Sequence, residues 1–348
     1  MNEIYTEKQE SPEYLRMSLA AAMTLGFKQG IFYRGAKLYC INLLLNYSGG
    51  CAARCAYCGL SNKREGRYED KSFIRVSWPS YKLDDIIERI DSRRKRVKRI
   101  CISQITNKRS IGDTVEICTR LRQSFDIPVS LLISPTIVTD EDLHAFKKAG
   151  ADKIGVAIDL ATPALFEKYR GKGVGGPHQW NRYMDCLEKA ISLFGKRNAG
   201  SHLVTGMGET EKEMVDIIQA IQNMGGWTHL FSFFPEADSQ MKDHPMPDMD
   251  HYRRIQLARY LIDGDITKSD KFVYDADERI IDFGVGAEKL DEVINSGEPF
   301  RTSGCEGYDG TVACNRPYAN SRPGPDIRNF PFAPETEDIE RIRRQMGI

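Results

Sequence analysis

Three cysteines stand close together in Cys51-Ala-Ala-Arg-Cys55-Ala-Tyr-Cys58, a C-x3-C-x2-C triplet in a loop opened by Ser48-Gly49-Gly50. Thiolates so spaced can wrap one face of a small metal cluster. A structural zinc site wants a fourth ligand, usually from a second pair, and a [4Fe–4S] cluster normally takes four cysteines. Three leave one iron free to bind a small chelating ligand, and an open coordination position marks a catalytic rather than a structural metal. The chain holds nine cysteines. An odd count in a protein expected in a reducing cytosol favours metal or redox chemistry over disulfides. Cys118 and Cys186 lie in amphipathic helical patterns and read as small core residues. Cys305 and Cys314 form a pair in a glycine-rich segment without a zinc-ribbon partner. They are either structural thiols of a capping segment or ligands of a second cluster. In the second case Cys40 or Cys101 supplies a third donor, and Ser303 or Ser321 is a weaker oxygen donor.

The rest of the chain must position these thiols. It has 348 residues with 49 basic and 49 acidic side chains, 41% hydrophobic and 28% charged. That is the composition of an ordinary globular protein with a sizeable core. Zero formal charge gives no electrostatic case for nucleic acid or an anionic membrane as partner. No apolar run reaches the roughly 18 residues of a membrane span, and the polar stretch Met1–Glu13 excludes a signal peptide. A cytoplasmic location is expected. The basic run Arg93–Arg99 reads as a solvated linker face, with a docking surface for an acidic carrier protein as its functional alternative.

Near-continuous apolar runs at Leu38–Asn46, Lys98–Thr106, Pro128–Ser134, Asp152–Asp159, Ala199–Thr205 and Thr228–Phe234 predict strands buried on both faces. Helix-period segments follow them at Leu83–Ser92, Asp113–Ser124, Gln179–Phe194, Glu211–Met224 and Met249–Ile262, with a capping-box start at Thr139. Repeated βα units predict an α/β fold, a full or partial TIM-type barrel. The first strand lacks the G-x-G-x-x-G turn of a dinucleotide fold. Three regions are expected: a helical lead-in over 1–35, the barrel over 36–300, and an irregular cysteine-containing extension over 301–348 that ends in a helix, Glu337–Gln345. Barrel active sites lie on the loops after the strands, and the cysteine triplet directly follows the first.

The triplet, with an aromatic residue (Tyr57) before its last cysteine and a place after the first barrel strand, resembles the signature of the radical S-adenosylmethionine (radical SAM) superfamily. The resemblance implies a [4Fe–4S] cluster on Cys51, Cys55 and Cys58 whose open iron chelates the methionyl group of SAM. One electron, from a low-potential ferredoxin or flavodoxin type of donor, then cleaves SAM to methionine and a 5′-deoxyadenosyl radical that abstracts hydrogen from substrate. Through residues 15 to 235, Ile154-Gly-Val-Ala-Ile-Asp159, Trp180-Asn-Arg-Tyr and Val204-Thr-Gly-Met-Gly-Glu209-Thr are similar in order to the biotin-synthase-like subgroup. By that similarity Asp159 would hold the SAM ribose and Arg182 the SAM carboxylate. Gly206 and Gly208 would pass close to the nucleoside, and Glu236 would lie near the adenine. Each has a plainer reading: Asp159 as a helix cap, Arg182 as a solvated residue, the glycines as a turn.

Biotin synthases hold a second, sacrificial cluster on cysteines from three strands. Cys101 matches the first of them, but Leu132 and Gly200 stand near the other two, so this chain departs from that activity. The tail, Cys305-Glu-Gly-Tyr-Asp-Gly-Thr-Val-Ala-Cys314-Asn-Arg-Pro with Arg328-Asn-Phe-Pro-Phe, is similar instead to the two-protein lipoyl synthases. That likeness implies sulfur insertion at an unactivated C–H bond of an octanoyl chain on a carrier protein, an auxiliary cluster as sulfur donor, and a homologous partner enzyme. The alternative is rearrangement or cleavage of a small molecule, as in methylornithine-synthase or hydrogenase-maturase relatives, with structural tail cysteines. His202 and His229 are expected in the lumen as core residues or as ligands, and Phe231, Phe233 and Phe234 as packing at the top of the sixth strand.

Overall fold

Each of the six apolar runs forms a strand that feeds a helix or a long loop, and the strands align in parallel. A computed structural model describes residues 9–237, 239–319 and 321–348; the first eight residues of the polar stretch Met1–Glu13 lie outside it. The chain opens with β1 (Tyr14–Met17) and α1 (Leu19–Thr24), then β2 (Cys40–Leu45), β3 (Ser80–Lys82) and α2 (Leu83–Ser92). There follow β4 (Arg99–Ser103), α3 (Ser110–Ser124), β5 (Val129–Ile133), α4 (Asp140–Lys148), β6 (Ala151–Asp159), α5 (Pro163–Tyr169) and α6 (Trp180–Phe194). The barrel portion ends with β7 (Ala199–Thr205), α7 (Glu211–Asn223), β8 (Trp227–Ser232) and α8 (Met249–Asp263). A small hairpin of β9 (Val273–Tyr274) and β10 (Ile280–Asp282), then α9 (Ala287–Ser296) and α10 (Thr336–Met346), complete the elements.

The sheet runs β3-β1-β2-β4-β5-β6-β7-β8. From β2 to β8 every pairing is parallel, while β1 joins β2 and β3 antiparallel. The architecture is therefore a partial (βα) barrel of six parallel strands, widened at one edge by two short antiparallel ones. The predicted helical lead-in thus contains a strand. Its four residues include Arg16, which hides the strand pattern in the sequence. Buried between layers, Arg16 donates to the carbonyls of Trp78 and Tyr68 at 2.9 Å each and to that of Lys71, so the cation is satisfied where an apolar residue was expected.

Alternation sorts the strand residues. Ile41, Leu43, Ile100, Ile102, Leu131 and Ile154 form the buried layer under the helices. Their neighbours Asn42, Cys101, Leu132, His202 and His229 line an internal cavity. Among the described residues β3 and β8 do not pair, and the tail fills the seam between β8 and the segment that leads into β2. Ser303 Oγ accepts from the edge N–H of Leu230 at 2.8 Å, and Asn315 donates to the carbonyls of Lys37 and Pro331 at 2.7 and 2.8 Å. Between them the chain turns as a hairpin with a Glu306–Val312 bridge, which stands at the start of β4. There Lys98 meets Asp309, and the buried Arg99 donates to Glu306 O while pairing in bidentate fashion with Asp152 at 2.6 and 2.7 Å. The basic run is thus divided: Arg94, Lys95 and Arg96 are exposed, whereas Lys98 and Arg99 seat the tail. Gly304 allows the hairpin strands to touch, since a Cβ there would stand 2.0 Å from Cys314 O. No helix among the described residues is long and apolar enough to cross a membrane.

Candidate functional site

The loop after β2 is pinned at both ends by backbone. Ala52 N–H donates to Thr106 O and Ala56 N–H to Tyr169 O at 2.8 Å each, and Cys58 N–H donates to Cys55 O at 3.2 Å. Cys51, Cys55 and Cys58 consequently all line the cavity, and none is in a disulfide. Burial pushes the Cys55 thiol up to about 11 and Cys58 well above the ordinary thiol range, as expected where no metal compensates a buried thiolate. Among the described residues no three His, Cys, Asp or Glu side chains converge closely enough for one metal ion. A cluster several atoms across does not need that convergence. Three free thiols from one loop, facing one cavity, are a donor set that fits a cluster with an open iron.

Asp159 ends β6 beside this loop. The register with β7 shifts between Ala157 and Asp159, and Asp159 takes a φ of +66°, a bulge that aims its carboxylate into the cavity. It does not cap α5, whose N-cap is Thr162. Tyr57 donates its hydroxyl to Asp159 Oδ2 at 2.6 Å, and Arg170 donates to the same oxygen at 3.0 Å. Arg170 also donates to the carbonyls of Ala157 and Ile158 and reaches the Tyr183 hydroxyl at 3.4 Å. His178 completes this buried group, 2.8 Å from Tyr183 Oη and 2.6 Å from Thr136 Oγ1. Burial and the Arg170 charge push its pKa down to about 2, so it is neutral. The motif carries no trace of Arg170 or His178, because both reach the site only through the fold.

Other expected residues are placed differently. Arg182 does not line the cavity; it donates to the carbonyls of Pro135 and Val138 at 2.7 and 3.3 Å, in the turn before α4. Gly206 and Gly208, with φ of +99° and +105°, form a turn closed by the Glu209 carboxylate, which accepts from Gly206 and Met207 N–H at 2.6 and 2.8 Å. They do not line the cavity either, and the plainer reading describes them. Glu236 does line it, accepting from Ser72 Oγ at 2.8 Å and Arg75 N–H at 2.6 Å. Arg75, unremarked in the sequence, stands in the cavity wall with φ +63° and its guanidinium 3.2 Å from the Phe234 ring centroid. Its Nη1 is buried without a hydrogen-bond partner.

A second thiol group lies deeper. Cys40 and Asn42 share the inner face of β2, Cys101 sits opposite Asn42 on β4, and the tail hairpin inserts Cys305 and Cys314. Asn42 Nδ2 donates to Cys314 Sγ at 3.3 Å and to Cys40 Sγ at 3.6 Å. Arg316 Nη1 lies 3.6 Å from Cys314 Sγ, and His229 Nε2 3.5 Å from Cys305 Sγ. A hydrogen bond from Cys40, with Arg316 and Asn42, pulls Cys314 down to about 5, while burial pushes Cys101 up to about 12 and Cys305 to about 11. Ser303 and Ser321 are engaged elsewhere, with Leu230 N–H and the Thr302 hydroxyl. Leu132 lines the cavity, and Gly200 packs under Trp227. Cys118 and Cys186 are buried on α3 and α6, away from both groups. One cavity of about 270 Å³ is lined by Cys51, Cys55 and Cys58 and also by Cys101, Cys305 and Cys314. Its wall is mostly apolar, and Phe231, Phe233 and Phe234, expected as packing at the top of the sixth strand, form part of it.

The radical SAM superfamily model matches residues 45–221, just over half of the chain. A biotin synthase of Thermus thermophilus is 24% identical over 200 residues, which are 56% of this chain and 55% of that protein. A biotin synthase of Cutibacterium acnes is 27% identical over 191 residues, 53% of this chain and 49% of that one. The chain thus spans about half the length of these curated relatives. Among solved structures, HydG, a maturase of the [FeFe]-hydrogenase, superposes with a TM-score of 0.51 at 13% identity, over 70% of this chain and 54% of that chain, a likeness of fold alone.

Proposed function

The chain belongs to the radical SAM superfamily, and we propose that within it this protein inserts sulfur into an unactivated C–H bond. The observation that carries this reading is the single cavity shared by both thiol groups. When bound, a [4Fe–4S] cluster on Cys51, Cys55 and Cys58 would with SAM supply the radical chemistry that removes the substrate hydrogen, and a second cluster on Cys305 and Cys314 would supply the sulfur and take up the surplus electron.

The residues divide the work. Cys51, Cys55 and Cys58 hold the cluster that binds SAM. Tyr57 and Arg170 both donate to Asp159 Oδ2, which leaves Oδ1 to accept from the SAM ribose hydroxyls. Glu236 and Arg75 offer a carboxylate and an unpaired guanidinium N–H elsewhere on the cavity wall. Cys305 and Cys314, with Cys101 or Cys40, hold the second, sulfur-donating cluster. The mostly apolar wall between the groups suits an aliphatic chain and keeps water from a carbon radical. Together with the tail resemblance, this supports a lipoyl-synthase-like substrate, an octanoyl chain on a carrier protein. A cytoplasmic enzyme using a low-potential electron donor and a homologous partner enzyme completes the proposal.

The test is iron and sulfide content after anaerobic reconstitution, wild type beside a Cys51/Cys55/Cys58 triple-Ala variant. About eight irons falling to about four is expected for two [4Fe–4S] clusters. About four falling to none would leave one cluster, make the tail cysteines structural, and favour rearrangement or cleavage of a small molecule.

A further inference from the structure

The second thiol group has more donors than its position in the cavity can use, and one of its neighbours is not a thiol. Cys101, Cys305 and Cys314 line the cavity, whereas Cys40 does not. Cys40 lies one pleat below Asn42 on β2, fully buried, and the Asn42 amide donates to both its sulfur and that of Cys314. Asn42 therefore stands between Cys40 and the open volume.

His229 is placed the other way. On β8 it faces inward, in register with His202 of β7, and it lines the same cavity as the three thiols. Its Nε2 is 3.5 Å from Cys305 Sγ, and sulfur is a weak hydrogen-bonding partner for a buried imidazole. The Trp227 ring, with its centroid 3.6 Å away, packs against the imidazole, and the His202 ring lies 5.4 Å from it. The ring is thus fixed with a nitrogen pointed at the thiol cluster.

We infer that His229, through Nε2, is the fourth ligand of the second cluster, with Cys101, Cys305 and Cys314 as its thiolates. Cys40 stays outside the coordination and hydrogen-bonds the Cys314 sulfur. This inference rests on the second-cluster reading above. A neutral nitrogen in place of a fourth thiolate removes one negative charge from the site, and histidine ligation raises a cluster's reduction potential. The site is then tuned to accept the electron that carbon–sulfur bond formation releases.

The experiment uses the full-length Cys51/Cys55/Cys58 triple-Ala variant, so that only the second site can bind. It is reconstituted anaerobically with iron and sulfide, reduced, and examined by electron–nuclear double resonance with and without ¹⁵N-histidine labelling. A strongly coupled histidine nitrogen is expected. It should persist when Cys40→Ser is added and vanish with His229→Cys, which supplies a thiolate and lowers the potential. Bound iron with no coupled nitrogen would overturn the histidine ligand and leave the second cluster standing. Loss of iron with Cys40→Ser, while His229→Cys leaves the spectrum unchanged, would make Cys40 the ligand. No bound iron in the triple variant would overturn the second cluster itself, and the ligand with it.

Discussion

The two thiol groups differ in how the chain makes them. Cys51, Cys55 and Cys58 come from one loop, turned locally by Cys58 N–H to Cys55 O and pinned by the carbonyls of Thr106 and Tyr169. The deeper group draws Cys40 from β2, Cys101 from β4, and Cys305 and Cys314 from a hairpin some 200 residues later. Their electrostatics differ as well. Burial pushes Cys55 and Cys58 up, while a hydrogen bond from Cys40 and the Arg316 charge pull Cys314 down. A donor set from one loop needs only that loop and the segments at Thr106 and Tyr169 that pin it. A set drawn from three segments requires the finished fold.

The sharpest way to separate the groups is to break each alone. Cys55→Ala removes one of three donors and is expected to abolish SAM cleavage, read as 5′-deoxyadenosine released under reducing conditions. Cys314→Ala should keep cleavage and lose the sulfur-containing product. Unchanged product from the Cys314 variant would remove its group from the chemistry.

A smaller effect is expected from Arg170→Met. It leaves the Asp159 carboxylate with Tyr57 as its hydrogen-bond donor, and breaking a buried ion pair from one side costs about 3 kcal/mol. Denaturant unfolding should show that loss, and calorimetric titration should show weaker SAM binding. Wild-type stability and affinity together would mean that Arg170 does not position Asp159.

Gly304→Ala tests the deeper group from its backbone. The added Cβ would overlap Cys314 O and force the hairpin strands apart, at a cost of about 1–3 kcal/mol. Iron in the triple-Ala background should fall with it, while the first cluster in the wild-type background is retained. Full iron loading of both would show that the hairpin tolerates the spread.

The smallest change belongs to Lys98→Met. Its bond to the partly exposed Asp309 is a surface pair of the kind that contributes 1 kcal/mol or less, and the thermal midpoint should shift by no more than a few degrees. A large shift would mean that the hairpin is held by its rim rather than by its buried cysteines.

The same contrast decides what the sequence reveals. The triplet, its strand and Asp159 are legible because spacing and strand ends are local properties. β2 and β4 to β8 stand out as apolar runs bounded by helices. β1 does not, since Arg16 breaks a four-residue strand and its compensation comes from the carbonyls of Tyr68, Lys71 and Trp78. Arg182 shows the opposite failure. Its helix packs behind the site, where the carbonyls of Pro135 and Val138 accept from its guanidinium, outside the cavity wall. Arg170 and Arg75 carry no sequence signal, because each acquires its role only where separate segments meet. The pairing of Cys305 and Cys314 is visible in the sequence, whereas their proximity to Cys101, Asn42 and His229 is a property of the seam.

The hairpin that fills this seam also sets a calendar. Synthesis proceeds from the N-terminus and domains form as units while the chain emerges. The ribosome therefore releases Cys51, Cys55 and Cys58 long before Cys305 and Cys314. Iron offered to nascent chains stalled near residue 300 should occupy the first group alone.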